Sequence, residues 1–315
     1  MEAERSDNPH KFFSAREKNE IVEAIKMAEK QTSYSRIINP GKLLVDYGPI
    51  TMLIEANRGD QPFTEAAVAG GEVAVYLLGV LAANLFIARQ AISELDPARD
   101  STYPEVLRRM VASVRRLGEA DFTPMAAVAG TFSDLVKEAV LTAQADSVVV
   151  NNGGDIALHL RAGGNCLRVG IVRDLSEGRI THTLNIYPDQ GIYGIATSGL
   201  GGRSLTKGIA SAVTVLAEDG SLADAAATAI ANAVNCDDSV VERCLAEELD
   251  PSTDIRGHLV TRRVGRLNMT AIETAFAQGL ERFRQLYREG MIKGVVIFIQ
   301  GQVRMFPDNL AHHLG

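Results

Sequence analysis

Val148-Val149-Val150-Asn151-Asn152-Gly153-Gly154-Asp155-Ile156-Ala157-Leu158-His159-Leu160 is a pair of apolar runs hinged on a turn. Asn and Gly tolerate the positive φ of a tight hairpin, so residues 151–155 read first as a β-turn. Two further runs, Leu167–Val172 and Thr181–Ile186, follow with turn residues and no helix between them. Parallel strands need a crossover of a dozen or more residues, usually helical, so these four runs predict an antiparallel sheet.

Outward from this block the pattern turns helical. Upstream lie a hairpin over Lys42–Ala56 turning at Tyr47-Gly48-Pro49, and an apolar helix over Thr64–Leu95 closed by Asp96-Pro97. A helix starting at Pro104 follows, carrying Val106, Met110, Val111 and Val114 at helical period. Thr123-Pro124 opens a helix to Thr142 whose small residues, Ala126, Ala127, Ala129 and Gly130, let a neighbouring backbone or ligand come close. Downstream the pattern predicts a strand over Ser211–Leu216, helices over Leu222–Val234 and Ser239–Leu249, and a strand over His258–Val264. A helix over Thr270–Glu289 and a strand over Val295–Ile299 end the chain. Helices and strands are segregated, which predicts an α+β fold of antiparallel sheets packed with long helices. Residues 1–35 form a polar segment with a helical piece at Glu20–Glu29, and 36–315 read as a single domain.

The 315 residues carry a net charge of −7, which argues against a nucleic-acid partner. Arg108, Arg109, Arg115 and Arg116 are spaced as one solvated helix face. Val73–Ala88 falls short of the roughly 20 residues that span a bilayer, so it reads as a core helix and no membrane partner is expected. Whether part of it forms a homo-oligomer interface stays open. No apolar segment marks the first residues, and the three cysteines suit a reducing cytoplasm, the expected location.

Chemistry concentrates in two places. Gly194-Ile195-Ala196-Thr197-Ser198-Gly199-Leu200-Gly201-Gly202-Arg203 reads as a glycine-rich loop whose N–H groups can cradle an anion, with Arg203 and Lys207 to face it. It lacks the Gly-Lys-Ser/Thr ending of a nucleotide-binding P-loop. About twenty residues on, Ala223-Asp224-Ala225-Ala226-Ala227-Thr228-Ala229 puts Asp224 and Thr228 four apart on one helix face, two oxygens for a hard cation such as Mg²⁺. Plain turn and alanine-helix readings compete with each motif taken alone.

In order, Asn152-Gly153-Gly154-Asp155, Ala196-Thr197-Ser198-Gly199, Ala212-Val213-Thr214-Val215 and Ala223–Ala229 resemble four motifs of the ApbE superfamily of flavin transferases. The resemblance covers roughly residues 145 to 235 and implies a T-fold-like architecture. It implies Mg²⁺ held by Asp224, Thr228 and the Ala196 carbonyl. FAD or FMN would lie against Asn152, Gly153, Gly154, Asp155, Thr197, Ser198, Gly199, Gly201, Gly202 and Arg203, and FMN would pass to a threonine of a partner protein. No catalytic residue is assigned. The family's histidine-isoleucine-aspartate-proline segment is replaced by Ser204-Leu205-Thr206-Lys207-Gly208-Ile209. The whole chain looks most like a shorter, uncharacterised cytoplasmic branch of that superfamily. Two other readings stand beside flavin transfer: a non-catalytic ligand-binding or assembly protein, and an enzyme acting on another heterocycle such as a pterin-like ring.

Overall fold

The computed structural model describes residues 34–314, so the expected helix at Glu20–Glu29 lies outside the described residues. The strands are β1 (Ser35–Asn39), β2 (Lys42–Tyr47), β3 (Ile50–Arg58), β4 (Gln61–Pro62), β5 (Ser147–Asn152), β6 (Asp155–His159), β7 (Leu167–Val172) and β8 (Ile180–Ile186). They continue as β9 (Gly194–Ser198), β10 (Ala212–Ala217), β11 (Val241–Leu245), β12 (Leu259–Val264), β13 (Ile292–Ile299), β14 (Gln302–Phe306) and β15 (His312–His313). The long helices are α1 (Thr64–Ala83), α2 (Glu105–Leu117), α3 (Val128–Thr142), α4 (Gly220–Ala233) and α5 (Met269–Arg288).

The fold is α+β, as the segregated pattern predicts. A ten-stranded sheet runs β1-β2-β3-β5-β6-β9-β10-β13-β14 with β4 on β3, and every pairing in it is antiparallel. Side chains alternate across it. Val150, Val213, Val215 and Ile297 join the core under the helices, whereas Ile156, Leu158, Ile195, Leu216 and Phe298 join a second core under a smaller sheet, β15-β8-β7. β11 and β12 form a separate two-stranded ribbon.

Four expectations change. The helix from Thr64 ends at Ala83, because the Asn84 amide turns back to the Val80 carbonyl at 2.8 Å and the backbone leaves the helical path. Ser239–Leu249 is not a helix: Val241–Leu245 pairs with β12, and only Ala246–Leu249 makes a short helical turn. A short run with adjacent valines carries no decisive period. Gly194–Ser198 is not loop but the interior strand β9, and His312-His313, beyond the last expected strand, pairs with β8. By length and composition α1 can cross a membrane. Here it is packed tightly: a Cβ on Gly70 or Gly71 would sit 2.5 Å from Val140 or Leu43.

Candidate functional site

α4 is built of alanine so that it can sink into the fold. Gly130 of α3 crosses it so closely that a Cβ would stand 2.0 Å from the Gly220 carbonyl, and one on Gly194 of β9 would stand 2.0 Å from that of Asp219. Of its fourteen residues only Asp224, Thr228, Asn232 and Ala233 keep partial exposure. Asp224, Thr228 and Asn232 are spaced i, i+4, i+8 and fall on one face. Solvent therefore reaches α4 along a single polar stripe about 12 Å long from Asp224 to Asn232, here called the trough.

At the head of α4 the free N–H groups are taken. Asp134 of α3 is 1% exposed and accepts from Gly220 N (2.9 Å), Ser221 N (2.8 Å), Ser221 Oγ (3.0 Å) and Lys137 Nζ (3.0 Å). Asp219 caps the helix by accepting from Leu222 N at 2.7 Å. Burial, and next the nearby Asp134 carboxylate, raises the Asp219 carboxyl. An anion finds this helix terminus already filled by the protein's own carboxylate.

One turn on, compensation is thinner. Asp224 Oδ2 accepts from Gly130 N at 3.0 Å. Its carboxyl is raised well above the ordinary range, first by burial and then by the charge of Asp155. Asp155 ends β6 on the helix-covered side of the sheet, and burial pushes its carboxyl to about 7 against the pull of Thr197 N–H and Arg203. Thr197 N donates to Asp155 Oδ1 at 3.3 Å where the β6–β9 ladder stops, and Ser133 Oγ donates to the Asp155 carbonyl at 2.9 Å. Asn152, also on this side, points its amide at the Ala129 carbonyl, 3.5 Å away. Two carboxylates, a hydroxyl at Thr228 and the Ala129–Gly130 backbone thus share the head of the trough.

The glycine pair 153–154 is a hairpin turn, both residues at positive φ. Gly153 is also where Arg203 lies: a Cβ would meet its guanidinium at 3.0 Å, and Arg203 donates onward to the Pro49 carbonyl at 3.2 Å. Thr197 is placed otherwise than expected. It shares a face with Ile195, and its hydroxyl meets Thr214 Oγ1 at 2.9 Å on the side away from α4. Ala196 also differs. Because Thr197 N points at Asp155, the Ala196 carbonyl across the same trans peptide points the other way, into the ladder with Val215. Ser198 is buried on the α4 side beside Ala196. Gly199, Gly201 and Gly202 leave the trough, and Gly201 packs on Ser176 beyond the smaller sheet.

Among the described residues no three His, Cys, Asp or Glu side chains converge as a metal cage. The donors present are all oxygen, and buried carboxylates facing one another favour a cation between them. That set fits Mg²⁺, which keeps waters and takes one or two carboxylates from protein. Ala129, Asp134 and Asn232 went unassigned in the sequence. The small-residue run at 126–130 was the one local signal of close approach; no spacing announces Asp134.

A family model described as AbpE bacteria matches residues 35–305. A UPF0280 protein of Methanococcus vannielii is 39% identical over 162 residues, 50% of this chain and 63% of its own length. One of Methanosarcina acetivorans is 42% identical over 140 residues, 44% and 53% of the two chains. The chain thus spans between about half and two thirds of these curated relatives. The crystal structure of Pseudomonas stutzeri flavinyl transferase ApbE, apo form, is 14% identical with a TM-score of 0.46, over 83% of this chain and 94% of that one. The ApbE protein of Thermotoga maritima is 11% identical with a TM-score of 0.42, over 82% and 94%.

Proposed function

Because the chain belongs to the AbpE bacteria family, we propose that it binds FAD with Mg²⁺ in the α4 trough and passes the FMN group to a protein hydroxyl. The observation that carries this reading is the single exposed stripe of α4, with Asp224 and Thr228 on it and Asp155 opposite. Asp224 and Thr228 would hold Mg²⁺, which when bound neutralises charge on a pyrophosphate. Arg203, reaching over Gly153 toward Asp155, would steady the same group from the rim.

The acceptor oxygen forms a bond to the phosphorus of the FMN half, the bridging P–O bond breaks, and AMP leaves. The hydroxyl proton passes to Asp155, whose carboxyl lies near neutrality because it is buried. Asp134 and Lys137 touch none of these atoms; they hold the first turn of α4 and hence the position of Asp224.

The test is calorimetric titration of FAD with and without Mg²⁺ into wild type and Asp224→Ala, with AMP release followed in the same samples. Metal-dependent binding lost in the variant is the expected result. Equal binding by both proteins would remove the metal assignment. Binding without AMP release in the presence of acceptor peptides would remove the transfer and leave a ligand-binding protein.

A further inference from the structure

The far end of the trough is closed by charge. Asn232 Oδ1 accepts from Lys207 N at 2.9 Å and Thr206 Oγ1 at 3.2 Å, while the Lys207 carbonyl accepts from Asn235 Nδ2 (3.0 Å) and Thr261 Oγ1 (3.1 Å). A backbone pinned to the last turn of α4 and to β12 fixes where the Lys207 side chain emerges. It reaches the opposite wall, where its ammonium meets Asp121 Oδ2 at 2.5 Å. Asp121 lies three residues before the helical turn Pro124–Ala127, which packs on α4. His258 Nδ1 stands 3.7 Å from the same Asp121 oxygen, brought there by the ribbon that Thr261 anchors.

We infer that the Lys207–Asp121 pair, with His258 behind it, reads the polar edge of the ligand's ring as a cyclic imide: a ring carbonyl accepts from the ammonium and the ring N–H donates to the carboxylate. This rests on the proposed binding of a phosphorylated heteroaromatic ligand and names what the trough selects. Three observations carry it. The pair offers a strong donor and a strong acceptor side by side, the complement of an N–H beside a C=O. Both keep solvent access, with the Asp121 side chain 49% and the Lys207 side chain 24% exposed. Asn232, which holds the Lys207 backbone, lies about 12 Å along α4 from Asp224, which suits a phosphate at one end and a ring edge at the other. Burial works to raise the Asp121 carboxyl, but Lys207 outweighs it and holds the carboxyl below its ordinary range, so the acceptor stays ionised.

The experiment measures affinities of the full chain, with Mg²⁺ present, for FMN, N3-methyl-FMN and ribitol 5-phosphate. Wild type should bind FMN about tenfold more tightly than the N3-methyl form, the value of one charge-assisted hydrogen bond. Lys207→Met should lose about tenfold on FMN and nothing on ribitol 5-phosphate. Asp121→Leu, which removes the acceptor, should bind FMN and N3-methyl-FMN within about twofold of each other. Equal wild-type affinity for the two flavins overturns the inference without any variant having to fold, as does discrimination that survives in Asp121→Leu. Should wild type bind none of the three probes, the proposed ligand class itself fails. Binding of FMN without imide discrimination fails only the inference drawn here.

Discussion

Asp134 and Asp224 sit one turn apart along α4, Asp134 withdrawn from water and Asp224 on the one stripe that water reaches, and their surroundings differ. Asp134 collects two backbone N–H groups, a hydroxyl and an ammonium. Asp224 is helped by the Gly130 and Ala129 N–H groups and then faces another carboxylate. A buried charge with all its partners in the protein fixes structure; a buried pair of like charges is left for something from outside. The contrast separates the scaffold at the head of α4 from the site it presents.

The largest effect should come from the scaffold. Asp134→Ala strands Lys137 and frees the first turn of α4, and should cost about 3–5 kcal/mol, read as a shift in the urea midpoint at constant slope. A loss below about 1 kcal/mol would mean that Asp134 is not the anchor and the contrast is false. Gly130→Ala comes next. Its methyl group would press on the Gly220 carbonyl and Asp224 Cβ, forcing α3 and α4 apart at about 1–3 kcal/mol. Unaltered stability with intact Mg²⁺ dependence would show that this crossing is not tight in solution.

Asp224→Asn should behave in the opposite way. The amide oxygen keeps the bond from Gly130 N–H while the repulsion with Asp155 disappears, so thermal melting should show stability falling by no more than about 0.5 kcal/mol. Metal-dependent binding should be lost. A variant that melts far below wild type would place Asp224 with Asp134 among the structural acids.

How far these roles could be read beforehand follows from what is local. The β5–β6 hairpin, the α+β class and the stripe of Asp224 and Thr228 depend on turn chemistry and on period, and both are written in consecutive residues. The β9 strand was hidden because four glycines and a Thr-Ser pair within ten residues look like loop, although Gly194 is there to let α4 approach. Side-chain direction was hidden too. A strand alternates faces, so Thr197 and Asp155 cannot be assigned to one site until the register is known. Asp134 meets the head of α4 from α3, and Lys207 and Asp121 meet beside its far end at Asn232; no spacing carries that information.

Glu72 sharpens the comparison from outside the site. It lies on α1, its Oε2 is buried with no hydrogen-bond partner, and burial raises its carboxyl from 4.5 to about 7. Here, then, is a third under-compensated acid, without a second carboxylate among the causes of its shift. The sign follows from its raised value in the folded state. Below pH 4.5 the group is protonated whether the chain is folded or not, and its contribution to stability is complete; as pH rises through about 7 the unfolded chain ionises more readily and that contribution is lost. Asp155 and Asp224 impose a slope of the same sign, so wild type alone cannot separate them. The difference between wild type and Glu72→Gln isolates Glu72. Thermal melts from pH 4.5 to 7.5 should show the variant gaining on wild type as pH rises, by less than Asp134→Ala loses. Parallel curves would mean that Glu72 is hydrated or partnered in solution, and that the head of α4 is where uncompensated charge in this fold is kept.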